Sequence, residues 1–154
     1  FHYLSHKKTC IAVIGSFLGE LYEKYDSDSR RYDNLSQWSN RILAKNEVTH
    51  CFIEGYAFNA VGRVFQIAEN TGLLKYNLWK TGIPFQVFPP SEIKKFATLK
   101  GNSNKERMHQ VFVEETGINI RKTLDITNEN VWNPVSDIVD AYYIAKLGFF
   151  KNNN

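Results

Sequence analysis

Three carboxylates in this sequence stand where a side chain can do chemistry. Glu54 closes the short apolar run at residues 48–53, while Asp137 and Asp140 lie three residues apart in an apolar stretch near the C-terminus. A carboxylate at the end of a buried strand faces the crevice in which open α/β sheets bind ligands. Two aspartates three apart on a helix share one face and repel each other. Oxygen donors without His or Cys favour Mg²⁺ or Mn²⁺ over Zn²⁺, so the pair predicts a hard divalent cation.

Each of these carboxylates also has an ordinary explanation. Glu54 fits a solvated strand-to-helix turn, because glutamate is mostly exposed in folded proteins. Asp137 and Asp140 fit the first turns of a helix, where the helix dipole favours negative charge. The spacing alone leaves both explanations open.

Lysines flank a glycine-containing loop between two predicted helices. Lys94 lies in the segment Pro-Ser-Glu-Ile-Lys-Lys, and Lys100 and Lys105 bound the segment Lys-Gly-Asn-Ser-Asn-Lys. Such a loop can hold a phosphate backbone with point charges and loop amides. A lysine-rich solvated loop is the alternative.

The elements that must position these residues follow from periodicity and turn signals. Strands at residues 1–4 and 9–17 predict a hairpin, and Asp33, after a charged loop at residues 23–33, is predicted to cap a helix. The later elements are a strand at 48–54, a long helix at 59–80, a strand at 82–88, and helices at 91–97, 103–116 and from 133 onward. Ser103, with Glu106 three residues later, is predicted to cap the helix at 103–116 and Gly117 to end it, and the tail from Lys151 is predicted to fray. This order predicts an α/β fold with a mixed central β-sheet flanked by helices.

Length and composition set the broad class. With 154 residues, 43% of them hydrophobic, the chain predicts one domain over residues 1–154. No apolar run approaches the ~18 residues of a membrane span and no signal peptide is visible, which predicts a soluble, cytoplasmic protein. Cys10 and Cys51 lie in apolar runs without metal-binding spacing, so they are predicted to be reduced core thiols. The net charge of +3, with a local lysine and arginine surplus at residues 90–122, weakly favours a polyanionic partner.

Taken in order, these motifs resemble the RuvC family of Holliday-junction resolvases. The likeness runs from residue 48 to residue 145: a strand ending in Ile-Glu, a long helix, a strand, the two lysine segments, and Asp-Ile-Val-Asp-Ala on the last helix. It is closest to the short versions carried by phages. The resemblance implies a ribonuclease H-like fold and a homodimer that cuts four-way DNA junctions with Mg²⁺, or with Mn²⁺ as a substitute, in a bacterial or phage-infected cell.

The resemblance also implies roles for individual residues. Glu54, Asp137 and Asp140 become metal-binding catalytic carboxylates, and Lys105 the catalytic lysine near the scissile phosphate. Lys94 becomes a second lysine that contacts DNA, beside Lys100 in the phosphate-binding loop. The aromatic side chain that stacks on junction bases is Tyr56 or Phe58. The helix at residues 59–80 is apolar on more than one side, which fits either a dimer interface, for which it is the candidate, or a central place in its own fold.

Two departures from the family pattern bear on function. The family's first catalytic aspartate sits on the first strand, and here it is expected either upstream of Phe1 or lost. The polar insert at residues 119–130 is also longer than expected. The prediction is therefore a metal-dependent junction-resolving endonuclease. Its alternatives are a catalytically impaired module that binds junction DNA, and a ribonuclease H-like nuclease that acts on other branched DNA.

Overall fold

The computed structural model describes residues 10–13, 16–19, 25–56 and 64–153. Its first two strands, β1 (Cys10–Val13) and β2 (Ser16–Gly19), pair antiparallel with Val13 opposite Ser16. This is not the predicted hairpin of residues 1–4 with 9–17, and the single strand predicted at 9–17 is wrong because that segment is divided between β1 and β2. The strand predicted at residues 1–4 lies outside the described residues.

A parallel strand pair carries the predicted glutamate. β3 (Cys51–Glu54) pairs with β4 (Phe85–Phe88), and Glu54 stands opposite Phe88 at the carboxyl ends of both strands. The rings of Phe52 and Phe88 stack with centroids 5.9 Å apart. Each strand is shorter than predicted at its N-terminal end. The described strands thus show antiparallel and parallel pairing, each in its own two-stranded sheet.

Two helices accompany the parallel pair: α1 (Asp28–Lys45) and α2 (Val64–Lys80). Ser27 caps α1 by accepting a hydrogen bond from the Arg30 amide, so Asp33 is not the cap and residues 28–33 are helical. The side-chain amide of Asn77 donates to the Ser36 hydroxyl at 2.6 Å and joins α2 to α1. Residues 25–56 and 64–88 form one compact unit.

Residues 89–153 belong to a second compact unit and form four helices. They are α3 (Pro90–Thr98), α4 (Lys105–Thr116), the short α5 (Ile120–Thr123) in the polar insert, and α6 (Val135–Asn153). Both α3 and α4 pack on α6. The most deeply buried side chains of this unit are Ile93, Phe112, Ile120, Val135, Val139 and Tyr143. The prediction of a single domain over residues 1–154 stays a prediction.

The observed helix ends can be compared with the boundaries that the local sequence predicts. Gly117 ends α4 in the left-handed conformation, as predicted, with φ 71°. The predicted cap at Ser103 is wrong, because Asn104 accepts the hydrogen bond from the Arg107 amide at 2.9 Å. The tail predicted to fray at residues 151–153 is helical. No described helix combines the length and apolarity needed to span a membrane.

Candidate functional site

The aspartate pair lies on α6 beside the core of its unit. Val135, Ile138 and Val139 are buried, whereas Asp137 and Asp140 are partly buried. The Oδ2 atom of Asp137 is shielded from solvent. The two carboxylates are therefore not the fully solvated pair that the ordinary explanation requires.

Asp140 is the electrostatic centre of this region. Burial, and then the negative charge of Asp137, raise the pKa of Asp140 from 3.8 to about 6. The ammonium groups of Lys94 and Lys105 oppose this rise in pKa. Side chains from α3, α4 and α6 thus act on one carboxylate, and we call Lys94, Lys105, Asp137 and Asp140 the charge cluster.

Lys94 is positioned by the way α3 packs. Pro90 occupies the first turn of α3, where a missing N–H is tolerated. Ile93 is almost wholly buried and fixes the rotation of the helix, so that the adjacent Lys94 is partly buried. An ion pair between Glu92 and Lys151 also joins α3 to the end of α6.

Lys105 is the first residue of α4, at a helix end that disfavours positive charge. The positive charge of Lys105 is attracted by the negative charge of Asp140. The Lys105 backbone is fixed by the Asn104 cap at the start of the helix. The negative charge of Asp140 thus opposes the unfavourable effect of the helix end, and the Lys105 side chain remains exposed.

The loop that joins α3 to α4 is closely braced. The Thr98 hydroxyl lies 2.6 Å from the Ser103 hydroxyl and 3.0 Å from the Lys100 carbonyl oxygen. Gly101 passes so close to α3 that an added Cβ would lie 3.1 Å from the Ser91 carbonyl oxygen. Lys100 is exposed on this loop. The predicted phosphate-binding segment is thus a fixed turn rather than a loose lysine-rich loop.

A polar network that the sequence did not predict joins α4 to α6. Glu115 accepts hydrogen bonds from Tyr142, Tyr143 and Lys146. Burial alone would raise the pKa of Glu115, but the hydrogen bonds from Lys146 and Tyr142 outweigh burial and lower it. The ring of Phe112 meets Tyr142 edge-on at 5.1 Å. No local motif marks these long-range contacts, which hold the two helices that carry Lys105 and the aspartates.

Glu54 is exposed at the end of β3, in the unit formed by residues 25–56 and 64–88. The next residue, Gly55, donates its N–H to the Phe88 carbonyl oxygen at 2.8 Å. A Cβ at Gly55 would lie 3.3 Å from that same oxygen, so a glycine suits the close approach of the two strands. Glu54 thus follows the buried Ile53 out of the strand, as predicted.

Tyr56 is exposed but anchored to α2 in the same unit. Its hydroxyl donates to the Ala68 carbonyl oxygen at 3.4 Å, and the Lys75 ammonium lies 5.5 Å from the ring centroid. Phe58, the other predicted stacking aromatic, lies outside the described residues. Tyr56 therefore has the fixed ring that base stacking favours.

The described part of the chain brings the four members of the charge cluster together. Within residues 10–13, 16–19, 25–56 and 64–153, no group of three or more His, Cys, Asp or Glu side chains is close enough to hold a metal ion. The three-carboxylate cage with Glu54 therefore stays a prediction. The Asp137 and Asp140 pair fits a hard cation, because it offers only oxygen donors and a bound cation would relieve the repulsion that raises the pKa of Asp140.

Comparison with known proteins gives relatives of one kind. No protein-family profile matches the chain. The crossover junction endodeoxyribonuclease RuvC of Brachyspira hyodysenteriae is 25% identical over 121 residues, which are 78% of this chain and 75% of that protein. The protein of the same name from Synechococcus sp. is 21% identical over 126 residues, covering 82% and 72% of the two chains.

Two solved structures resemble the fold. They are Thermus thermophilus RuvC and the same protein in complex with a Holliday junction substrate. Each aligns with a TM-score of 0.57 and 14% identity over 86% of this chain and 80% of the other. The predicted resemblance to RuvC and the ribonuclease H-like α/β fold are confirmed. The likeness to phage versions stays a prediction.

Proposed function

We propose that this chain is a RuvC-type resolvase, an endonuclease that cuts four-way DNA junctions by metal-dependent phosphodiester hydrolysis. One observation carries the proposal: in a RuvC-like fold, the charges of Lys94 on α3 and Lys105 on α4 act on Asp140, one of two partly buried aspartates of α6. Paired carboxylates suit a divalent cation, and lysines suit the phosphate that the cation would face. A purely structural pair of aspartates would not need this arrangement.

Asp137 and Asp140 would hold the metal, with Glu54 as a third ligand. We assign Mg²⁺, with Mn²⁺ as a substitute, because all the donors are carboxylate oxygens. When bound, such an ion lowers the pKa of an attacking water and stabilises the leaving oxygen. The aspartates then need to stay ionised, and Lys94 and Lys105 favour that state because both lower the pKa of Asp140.

The lysines have separate tasks in this proposal. Lys105 stabilises the negative charge that develops on the scissile phosphate, and the Asn104 cap fixes its backbone beforehand. Lys94 contacts the DNA backbone and supports the ionised aspartates. Lys100, exposed on the braced loop, holds a neighbouring phosphate. Either Tyr56 or Phe58 would stack on the junction bases.

A homodimer belongs to the proposal because two symmetric nicks on opposing strands require two active sites. Helix α2 supplies a surface of the right kind. Phe65, Tyr76 and Trp79 share one face of α2 and are exposed by 80%, 54% and 72%. Such a row of exposed aromatic side chains is typical of a protein interface.

The direct test is cleavage of a four-way junction with Mg²⁺ by the full-length protein and its variants. Asp140→Asn and Lys105→Ala should each reduce the rate by roughly 100-fold or more, because each removes charge that stabilises the transition state. The control variant Lys122→Ala removes an exposed lysine from α5 and should cut at the wild-type rate. Undiminished nicking by Asp140→Asn would refute the assignment.

The same assay separates the two alternatives. A wild-type protein that binds junctions tightly but leaves them intact with either Mg²⁺ or Mn²⁺ is the catalytically impaired binding module. One that cuts flaps as fast as junctions is a nuclease for other branched DNA. Rates on junction, flap and linear duplex, measured side by side, decide among the three.

A further inference from the structure

The side chain of Leu99 contributes little to the packing of the described protein. Leu99 ends α3 in the left-handed conformation, with φ 64° and ψ 2°, where glycine or asparagine is the usual residue. A leucine there is strained relative to glycine, because its Cβ lies too close to the following carbonyl oxygen. Its side chain is 87% exposed, more than any other large hydrophobic side chain among the described residues. Both the backbone and the side chain of Leu99 are therefore unfavourable in the free protein.

The segment around Leu99 is rigid, so its exposure does not reflect a loose chain end. The Leu99 amide donates to the Lys95 carbonyl oxygen at 2.9 Å, and the Lys100 amide lies 3.3 Å from the Thr98 hydroxyl oxygen. The Ser103 hydroxyl closes the same turn on the Lys100 carbonyl oxygen at 3.1 Å. A turn whose backbone is already fixed loses little backbone freedom when a ligand covers it.

The chemistry on either side of Leu99 indicates what that ligand is. Lys94 and Lys95 precede it on α3, Lys100 follows it directly, and Lys105 opens α4. An apolar side chain among four lysines complements a nucleic acid, in which phosphates alternate with apolar sugar and base surfaces. An apolar protein surface would not pair with those charges.

We propose that Leu99 is a DNA-contacting wedge, an apolar side chain that packs against the exposed bases at the branch point while Lys100 holds the adjacent phosphate. Apolar side chains inserted at base steps are a common way to recognise distorted DNA. The inference rests on the proposed function, because it takes branched DNA as the ligand. It assigns to Leu99 a part in substrate selection and none in the hydrolysis itself.

The test uses Leu99→Asn, which suits the left-handed backbone and removes the apolar side chain. Its melting temperature should equal or exceed that of the wild type, so any binding defect is not a folding defect. Binding is measured without added Mg²⁺, to keep the DNA intact, with a four-way junction that carries 2-aminopurine at the branch point and with a linear duplex. Phe149→Asn, which alters a side chain 69% exposed on α6, is the matched control.

We expect Leu99→Asn to bind the junction roughly 10-fold more weakly, the loss that corresponds to uncovering one leucine side chain. Duplex binding should stay unchanged, and the rise in 2-aminopurine fluorescence seen with wild type and Phe149→Asn should disappear. Equal junction affinity and an equal fluorescence rise would overturn the inference. So would a change of oligomeric state in light scattering, which would place Leu99 in a protein interface.

The wild-type arm tests the proposed function separately. A wild-type protein that binds the junction no more tightly than the duplex refutes the proposed function, and the assignment of Leu99 falls with it. A wild-type preference for the junction that Leu99→Asn retains in full refutes only the wedge.

Discussion

Asp140 experiences two opposing influences that a metal ion would resolve. Burial and the charge of Asp137 disfavour its ionised form, whereas Lys94 and Lys105 favour it. The two lysines do not fully compensate, since the pKa remains about 6. In the metal-free protein this carboxylate is therefore partly protonated just below neutral pH, and a bound cation would shift it to the ionised form.

The raised pKa of Asp140 predicts how the stability of the metal-free protein depends on pH. The folded protein holds this proton up to about pH 6, whereas the unfolded chain releases it near 3.8. Between those values the folded state binds more protons, so its stability falls as the pH rises through that window. We expect a loss of about 1–2 kcal/mol in the free energy of unfolding, after discounting for the partial exposure of Asp140.

Chemical denaturation in EDTA at pH 4.5 and pH 7 measures this loss. Comparing the change in the free energy of unfolding of each variant with that of the wild type cancels the pH effects of all other groups. Asp140→Asn should show a smaller loss than the wild type by that amount, because it has no proton to release. Glu129→Gln, at an exposed residue of the polar insert, should behave like the wild type. An identical loss in Asp140→Asn and the wild type would contradict the raised pKa.

A second prediction at the residue scale concerns the metal itself. At Mg²⁺ concentrations far above its dissociation constant, the melting temperature of the wild type should rise, corresponding to about 1–3 kcal/mol. Asp137→Asn and Asp140→Asn should each lose most of this rise, because each removes a ligand and a charge. Thermal melts with Mg²⁺ and with matched ionic strength from NaCl supply the comparison. An equal Mg²⁺ effect in both variants would place the cation elsewhere.

At the scale of elements, the turn between α3 and α4 contributes to the stability of the fold and also positions the lysines. The Thr98 hydroxyl lies within hydrogen-bonding distance of backbone or side-chain atoms of Lys94, Lys100 and Ser103. One hydroxyl group thus determines how the end of one helix meets the start of the next. A change there should disturb the placement of Lys100 and Lys105 together.

Thr98→Val keeps the shape of the side chain and removes its hydrogen bonds. We expect a loss of roughly 1–2 kcal/mol in the free energy of unfolding and slower junction cleavage. Thr116→Val is the matched control, because Thr116 makes a similar bond to the Phe112 carbonyl oxygen at the far end of α4. It should lower stability by a similar amount and leave the cleavage rate nearly unchanged. Equal effects of the two variants on cleavage would show that the loop needs no bracing.

Helix and strand identities were predictable where the signal is local. The Gly117 stop and the apolar run into Glu54 are examples, because each depends on residues that adjoin in sequence. The predicted start of α1 is too late, because the segment before it is charged and gives no sign that Arg31 is buried in the fold. Ser103 looked like a helix cap, but its hydroxyl bonds back to the loop. For Ser103 a contact within the loop outweighed the local pattern, whereas α1 starts earlier because Ser27 accepts the hydrogen bond that caps it.

At the scale of the whole molecule, the order of motifs predicted more than their spacing. Asp137 and Asp140 could be placed on one helix from sequence, whereas their burial beside Lys94 and Lys105 depends on how three helices pack. The left-handed Leu99 had no local signal, since leucine is not a residue that favours that conformation. Residue chemistry was thus readable from the sequence, but its electrostatic consequences required the tertiary structure.

The aromatic face of α2 predicts assembly, and assembly predicts the pattern of cleavage. In the proposed dimer, Trp79→Glu would place a charge among Phe65, Tyr76 and the same residues of the partner subunit, where burying it without a partner would cost several kcal/mol. Light scattering at micromolar concentration should show a dimer for the wild type and a monomer for the variant. Phe149→Glu adds the same charge at an exposed aromatic residue of α6 and should remain dimeric.

The same variants link the dimer to paired incision. On a supercoiled plasmid that extrudes a cruciform, two coordinated nicks give linear DNA, whereas independent single nicks give open circles. The wild type and Phe149→Glu should therefore release mostly linear product, and Trp79→Glu mostly open circles, because its two active sites no longer act on one junction. If Trp79→Glu remains dimeric, α2 is not the dimer interface. If it is monomeric but still linearises the plasmid in one binding event, paired cutting does not depend on the α2 interface.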